Sequence, residues 1–375
     1  MLDYITIKGF KSIASIVDLR LRPINVMIGA NGSGKSNFLG VFDFFRAISE
    51  ARLQNYVIAA GGAEKVLHFG SKTTKEIEFL LVFRKEEWYR LALSPAQDDG
   101  LFPSREAIPQ DDRLAPSQEV VYFTNKESNP TLGIGLSPQH RGREAGISNP
   151  EIEYVRRYLK SWWLYHLSDT SFSSPMRKTA KLDDNHFLRA DGSNLPAFLY
   201  FLRETHKAEY DLIVRTVQRV APFFDDFRLE PRRLKPDDIR LKWRHKTSDQ
   251  DFDASSLSDG TLRFIVLATL FLQPEELRPS IILVDEPELG LHPYAIEILA
   301  ALVRQASATT QVILSTQSTL LLDHFEPEDV LVAERIDGGT KLRRLEAPQL
   351  AKWLEDYSLG QLWEKNEFGG RPVPR

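Results

Sequence analysis

Residues Gly29-Ala30-Asn31-Gly32-Ser33-Gly34-Lys35-Ser36 match G-x-x-x-x-G-K-[ST] at every fixed position. Each residue type has a chemical reason. Glycines let the backbone curl until its N–H groups point at phosphate oxygens. A helix starting at this point adds a positive partial charge. Lys35 can reach the β- and γ-phosphates of a nucleotide, and the Ser36 hydroxyl can ligate Mg2+. A glycine-rich turn with a chance Lys-Ser pair is the bland alternative. The context argues against it, because the apolar run Ile24–Ile28 precedes the motif and a helical pattern, Ser36–Ile48, follows. Far along the chain, Ile281–Val284 reads as a buried strand ending in two carboxylates. Asp285 at the strand end can hold Mg2+, directly or through water. Glu286 points elsewhere and can polarise an attacking water. Alone, this would read as a strand running into an acidic loop; paired with the phosphate loop, it reads as the second half of one chemistry.

The elements that must position these groups follow from periodicity. Residues 3–9 and 16–21 read as strands around a turn at Lys11–Ala14. The helix after the phosphate loop places Phe38, Leu39, Phe42 and Phe45 on one side. Ile77–Phe83 and Trp88–Leu93 read as an antiparallel pair, and Val120–Thr124 as a strand. Residues 95–118 and 126–150 are expected to be mobile loops. Helices are expected over 150–163 and about 194–220, the second broken near His206, with strands near 226–230 and 239–244. From 258 onward helix and strand alternate, the pattern of a parallel sheet. A hairpin about Gly338-Gly339 and an amphipathic helix from Pro348 complete the reading.

Composition bounds the function classes. The chain has 375 residues, which suits two lobes or one large domain with an insertion. It has no cysteine, which excludes disulfides, thiolate metal sites and cysteine nucleophiles and suits a reducing cytoplasm, the expected location. The opening MLDYITIKGFK lacks the apolar run of a signal peptide. The longest apolar run, Phe264–Leu272, falls short of the ~20 residues a membrane helix needs, so no membrane partner is expected. The net charge of −4 does not announce a nucleic-acid binder. Two small basic groups, Arg232/Arg233/Lys235 and Arg343/Arg344, read as solvated surface.

Three segments together, GANGSGKSN, LSDGTLR at 257–263 and VDEPELGLHP at 284–293, resemble the RecF/OLD/SMC-like branch of the ABC-type AAA family ATPases. The resemblance implies an α/β P-loop NTPase fold of ABC type. Its parallel core sheet is flanked by helices, with an antiparallel N-terminal β region and a helical insertion. It divides the chain into 1–95 with the phosphate loop, 96–245 as the inserted lobe, and 246–375 with signature, acidic strand, D-loop and switch. It implies ATP and Mg2+ as cofactors. Asn31, Gly32, Ser33, Gly34, Lys35, Ser36 and Asn37 would contact the nucleotide, with Lys11 near its α-phosphate. Ser36 and Asp285 would hold the metal.

LSDGT resembles the signature whose Ser258 and Gly260 meet the γ-phosphate of a second protomer, giving a head-to-tail homodimer closed over ATP. Taken alone, Ser258 reads equally well as an N-cap of helix 259–272; its place just upstream of the acidic strand favours the signature. His292 lies in the D-loop and is given no chemistry. Catalysis would fall to Glu286 and to Gln317, which stands where the family usually has histidine. Glutamine can donate to a phosphate but cannot take a proton, so slower hydrolysis is expected. No clear glutamine marks a Q-loop; the polar turn 165–171, after a short apolar run, is a candidate to lie near the site. The stretch from Gly34 to Ser258 lacks sustained heptads, so coiled-coil arms are not expected. The segment after Gln317 is too short for a Toprim nuclease, so a nuclease or other effector would act in trans. The resemblance points to an ATP-driven switch in anti-phage defence or DNA repair. A non-hydrolysing scaffold and a RecF-like factor binding DNA directly are the rivals.

Overall fold

Along Ile77–Phe83 every second residue is buried, the mark of a strand with one face on a core. In the computed structural model, which describes residues 1–83, 87–109, 119–122 and 150–370, this strand sits inside a six-stranded antiparallel sheet. The order is Ile13–Arg20, Leu2–Phe10, Ile77–Phe83, Trp88–Pro95, Leu101–Pro109, Glu119–Tyr122. The chain divides into two units, and the sheet belongs to the first, made of Met1–Trp163, Pro327–Gln349 and Asn366–Arg375.

The same unit holds the fully buried strand Ile24–Ile28, parallel to Val330–Ile336, which turns back antiparallel into Gly339–Arg344. Between Ile24–Ile28 and the rest of its unit runs the helix Lys35–Ser49 in sequence. It buries more than the one stripe expected, because Val41 and Phe44 are enclosed together with Phe38, Leu39, Phe42 and Phe45. Phe45 meets Phe79 at 4.8 Å and Trp162 at 5.8 Å between ring centroids; Phe42 meets Trp162 at 5.0 Å. The Arg46 guanidinium lies 3.5 Å over the Trp163 ring. This aromatic packing fixes the helix whose first turn carries Lys35 and Ser36.

The second unit comprises Leu164–Glu326 and Leu350–Lys365. Its center is the parallel pair Ile281–Asp285 and Gln311–Ser315, joined by helix Pro293–Ala306. The strand Trp162–His166, where the chain passes into this unit, borders Ile281–Asp285. The helix Asp259–Leu272 is buried without interruption from Leu262 onward. Leu195–Thr205 and Lys207–Val220 break at His206 as the sequence suggests. They are joined by two small sheets, one of Phe224–Arg228, Lys242–His245 and Asp251–Asp253, the other of Pro231–Arg232, Lys235–Ile239 and Ala180–Lys181. The helices therefore fall over the stretch expected, and strands follow near 226–230 and 239–244 as the sequence suggests. Among the described residues the longest helix is Lys35–Ser49, of 15 residues, and no helix is long and apolar enough to cross a membrane.

Two expectations need correction. Residues 101–109 are a strand, not part of a loop. Pro103 is tolerated because it faces Leu93, where the ladder shifts register, and a proline is least harmful at such an irregularity. Helix Pro150–Lys160 stops before 163, and Trp162 begins a strand, as aromatic residues favour. The expected loop over 126–150 lies, up to its last residue, outside the described residues, as does 110–118. Truncating Phe45 to Ala should remove the ring that links Phe79, Tyr89 and Trp162, at a cost of about 3–5 kcal/mol. Urea unfolding of the first unit would read this; a loss below about 1 kcal/mol would mean the cluster does not hold the helix.

Candidate nucleotide site

The phosphate loop follows directly from the buried strand Ile24–Ile28. Three of its glycines have positive φ: Gly29 at 148°, Gly32 at 78° and Gly34 at 104°. Two of them also sit too close to neighbours for any side chain. A Cβ on Gly34 would lie 1.9 Å from the Thr340 hydroxyl, and one on Gly29 would lie 2.3 Å from the Ala333 carbonyl. At Gly32 nothing lies within 4 Å, so only the backbone dihedral calls for glycine there.

Thr340 is the loop's clamp. It is fully buried and donates to the Ser33 carbonyl at 2.9 Å. Its hydroxyl also lies 2.7 Å from that of Ser12, which accepts from Asn37 Nδ2 at 2.7 Å. The hairpin Val330–Arg344 thus braces the loop from behind, a role the sequence reading did not give it. Lys35 is buried, and its ammonium donates to the Gly29 and Ala30 carbonyls at 2.5 and 3.2 Å, inside the curve of the loop. Asn31, Gly32 and Ser36 are exposed. Ser33 Oγ is buried with no hydrogen-bond partner among the described residues. A curled backbone, an enclosed ammonium and an unmatched hydroxyl fit a phosphate chain.

Lys11 sits at positive φ, 48°, in the turn between the first two strands. Its ammonium donates to the Tyr56 hydroxyl at 3.0 Å, and burial holds its pKa below the ordinary lysine value although Asp43 opposes this. Lys11, Ser12 and Asn37 line one cavity of about 570 Å³ with His68, Phe69 and Arg335.

In the second unit, Asp285 ends its strand opposite Ser315, and Glu286 follows in the left-handed region at φ 47°, donating its N–H to the Ser315 carbonyl at 2.8 Å. That conformation costs a non-glycine residue about 1–2 kcal/mol and turns the chain sharply at the carboxylate. Gln317 Nε2 donates to Glu286 Oε1 at 2.5 Å. The two residues expected to share catalysis therefore meet. Glu288 accepts from the Thr316 hydroxyl at 2.6 Å and from the Gln317 N–H at 3.2 Å. Burial raises its pKa above the usual carboxylate value, with these hydrogen bonds working against the rise.

Ser258 caps the helix Asp259–Leu272, its Oγ accepting from the Thr261 N–H at 3.2 Å, and both Ser258 and Asp259 are exposed. Gly260 packs on the D-loop so tightly that a Cβ would lie 2.2 Å from the Gly290 carbonyl. One helical turn on, Arg263 is buried and donates to the carbonyls of Leu289, of Leu167 at 2.8 Å and of Ser168 at 3.3 Å. Arg177 donates to the Ala254 and Leu257 carbonyls and to Asp259 at 2.7 Å. Neither arginine was assigned a role from sequence. The signal for Arg263 was present, because it is a charged residue opening an apolar helix on the face of Gly260. Arg177 gave none. These bonds join the 165–171 turn to the signature helix. His292 caps helix Pro293–Ala306, accepting from the Tyr294 N–H at 3.2 Å.

A glycine loop with its lysine, an acidic strand end, and a serine-capped helix against a glycine loop define a P-loop nucleotide-binding protein of the ABC-ATPase type. Residues 24–323 match the family described as "AAA domain, putative AbiEii toxin, Type IV TA system", and the chain belongs to it. No curated protein matches the sequence. Among solved structures, an SMC head bound to the C-terminal winged-helix domain of ScpA is similar at 16% identity. The match covers 94% of this chain and 99% of that one, with a TM-score of 0.63. A Smc head with an extended coiled coil bound to the C-terminal domain of ScpA, from Pyrococcus furiosus, matches at 15% identity, 95% and 98% coverage and TM-score 0.58. At such identities the likeness is one of fold.

Thr340→Val should leave the Ser33 carbonyl and Ser12 hydroxyl short of a partner and weaken nucleotide binding about tenfold, the effect of ~1.4 kcal/mol. A fluorescent-ATP titration measures it. Unchanged affinity in a folded variant would show that the hairpin does not shape the loop.

Proposed function

We propose that the protein binds ATP with Mg2+ and hydrolyses it as a head-to-tail homodimer. The phosphate loop carries this reading, through its three positive-φ glycines and its enclosed lysine. Phosphate oxygens would replace the Gly29 and Ala30 carbonyls as acceptors for Lys35, and the loop N–H groups would hold the rest. The nucleoside would lie in the cavity of Lys11, Ser12 and Asn37, with Phe69 exposed for stacking. Ser36 and Asp285 would ligate Mg2+, which neutralises charge on the phosphates when bound. That both sets of residues serve one nucleotide is part of the proposal.

Glu286 would take a proton from the attacking water, and Gln317 would hold Glu286 and the γ-phosphate in register. The exposed, Ser258-capped helix end would meet the partner protomer's ATP together with Gly260. Closing on ATP and reopening after hydrolysis would make a switch that acts on an effector in trans, in a defence or DNA-related process. The family description, with its toxin and antitoxin, supports that setting. A nuclease effector in trans stays within this proposal, whereas a RecF-like factor binding DNA directly is a rival to it. A non-hydrolysing scaffold is the second reading, favoured by one observation: the Gln317 amide already occupies a Glu286 oxygen.

The hydrolysis rate per protomer, measured across protein concentrations, tests the first reading. It should rise with concentration and vanish in Glu286→Gln, which should still bind ATP, while Lys35→Ala should lose ATP binding by at least about tenfold. Tight binding with no turnover at any concentration would decide for the scaffold. Ser258→Arg should bind ATP and fail to hydrolyse it; normal turnover in that variant would sink the composite site.

A further inference from the structure

Glu288 ties the D-loop segment to residues 316 and 317. One of its oxygens, Oε1, accepts both the Thr316 hydroxyl and the Gln317 N–H. Thr316 Oγ1 in turn accepts from the Ser318 N–H at 2.9 Å, so residues 316–318, the switch segment around Gln317, are pinned through one carboxylate oxygen. The other, Oε2, is buried with no hydrogen-bond partner among the described residues. Keeping half a carboxylate unmatched away from water costs free energy.

The consequence falls on Gln317. Its backbone is held by Glu288, and its side chain reaches Glu286 at 2.5 Å. Glu286 itself is set by the turn at φ 47°. Glutamine has several rotatable bonds, and its amide stays on Glu286 only if its own backbone is anchored. On the other side the D-loop is anchored too, since Arg263 holds the Leu289 carbonyl, one residue from Glu288.

We infer that Glu288 is the positioning residue of the switch: through the Thr316 hydroxyl and the Gln317 N–H it sets where the Gln317 amide stands against Glu286. The inference rests on the ATPase reading for its kinetic meaning, not for its structural content. Glu288→Ala should therefore release the switch while sparing the phosphate loop. Glu288→Gln, whose amide oxygen still accepts, should rescue most of the loss.

Two measurements on the full chain decide it. In hydrogen–deuterium exchange, peptides covering 315–318 should exchange about tenfold faster in Glu288→Ala and near the normal rate in Glu288→Gln. Unchanged exchange would overturn the inference whether or not the protein hydrolyses ATP. In kinetics, Glu288→Ala should lower kcat about tenfold with ATP affinity within about twofold, and should add less than about twofold to the loss already caused by Gln317→Ala. Additive losses would show that Glu288 acts by another route and overturn it. Should Glu288→Ala not fold, Thr316→Val removes one of the two bonds and should give the same pattern at smaller amplitude. A wild-type chain without turnover would defeat the ATPase reading alone, and exchange would still judge the role of Glu288.

Discussion

Glycine backbone lies directly on neighbouring groups at several places, and the site depends above all on two of these contacts. Gly34 is pressed against Thr340, and Gly260 against the Gly290 carbonyl, at separations no side chain could occupy. The first contact lets a hairpin more than three hundred residues away in sequence, by a costly long-range closure, shape a loop that must present its N–H groups inward. The second lets the signature helix ride on the D-loop as one body. Crowding requires glycine in both cases, and at Gly34 the positive φ of 104° requires it as well. The phosphate loop is therefore held from outside, by the Thr340 hydroxyl and its link to Ser12, rather than by its own sequence alone.

The buried polar groups follow the same logic. Arg263 hydrogen-bonds three backbone carbonyls, so dipoles satisfy much of its charge while it joins two loops. Burial lowers its pKa, with Asp259 and Glu288 opposing, yet a guanidinium keeps its proton. Arg177 plays a related part at the helix's first turn, where its bond to Asp259 leaves Ser258 exposed at the tip. Two arginines thus fix a helix end without covering it.

Much of this was legible in the residues. The glycine loop, the strand ending in Asp285-Glu286 and the alternation after 258 each carry a local signature, since their chemistry depends on neighbours in sequence. The Ser258 cap was visible for the same reason. What escaped were partners distant along the chain. Thr340 sits in an ordinary-looking hairpin, and Arg177 in a polar segment, and neither shows its target in its spacing. The strand at Leu101–Pro109 was hidden by composition: prolines and polar residues argue for a loop, and only the adjacent strand Trp88–Pro95, with its register shift, makes a ladder there. Helix Lys35–Ser49 looked one-sided because a periodic pattern cannot tell a half-buried helix from one with a second enclosed face.

The strand Ile24–Ile28 is wholly buried, yet its parallel partner in the first unit, Val330–Ile336, leaves the ribosome about 300 residues later. At about 5–20 residues per second, that is a wait of roughly 15–60 s. Throughout it, the apolar strand that leads into the phosphate loop has an unpaired edge on the nascent chain. The first unit cannot be completed until its hairpin is made, so the phosphate loop waits on a segment synthesised long after it.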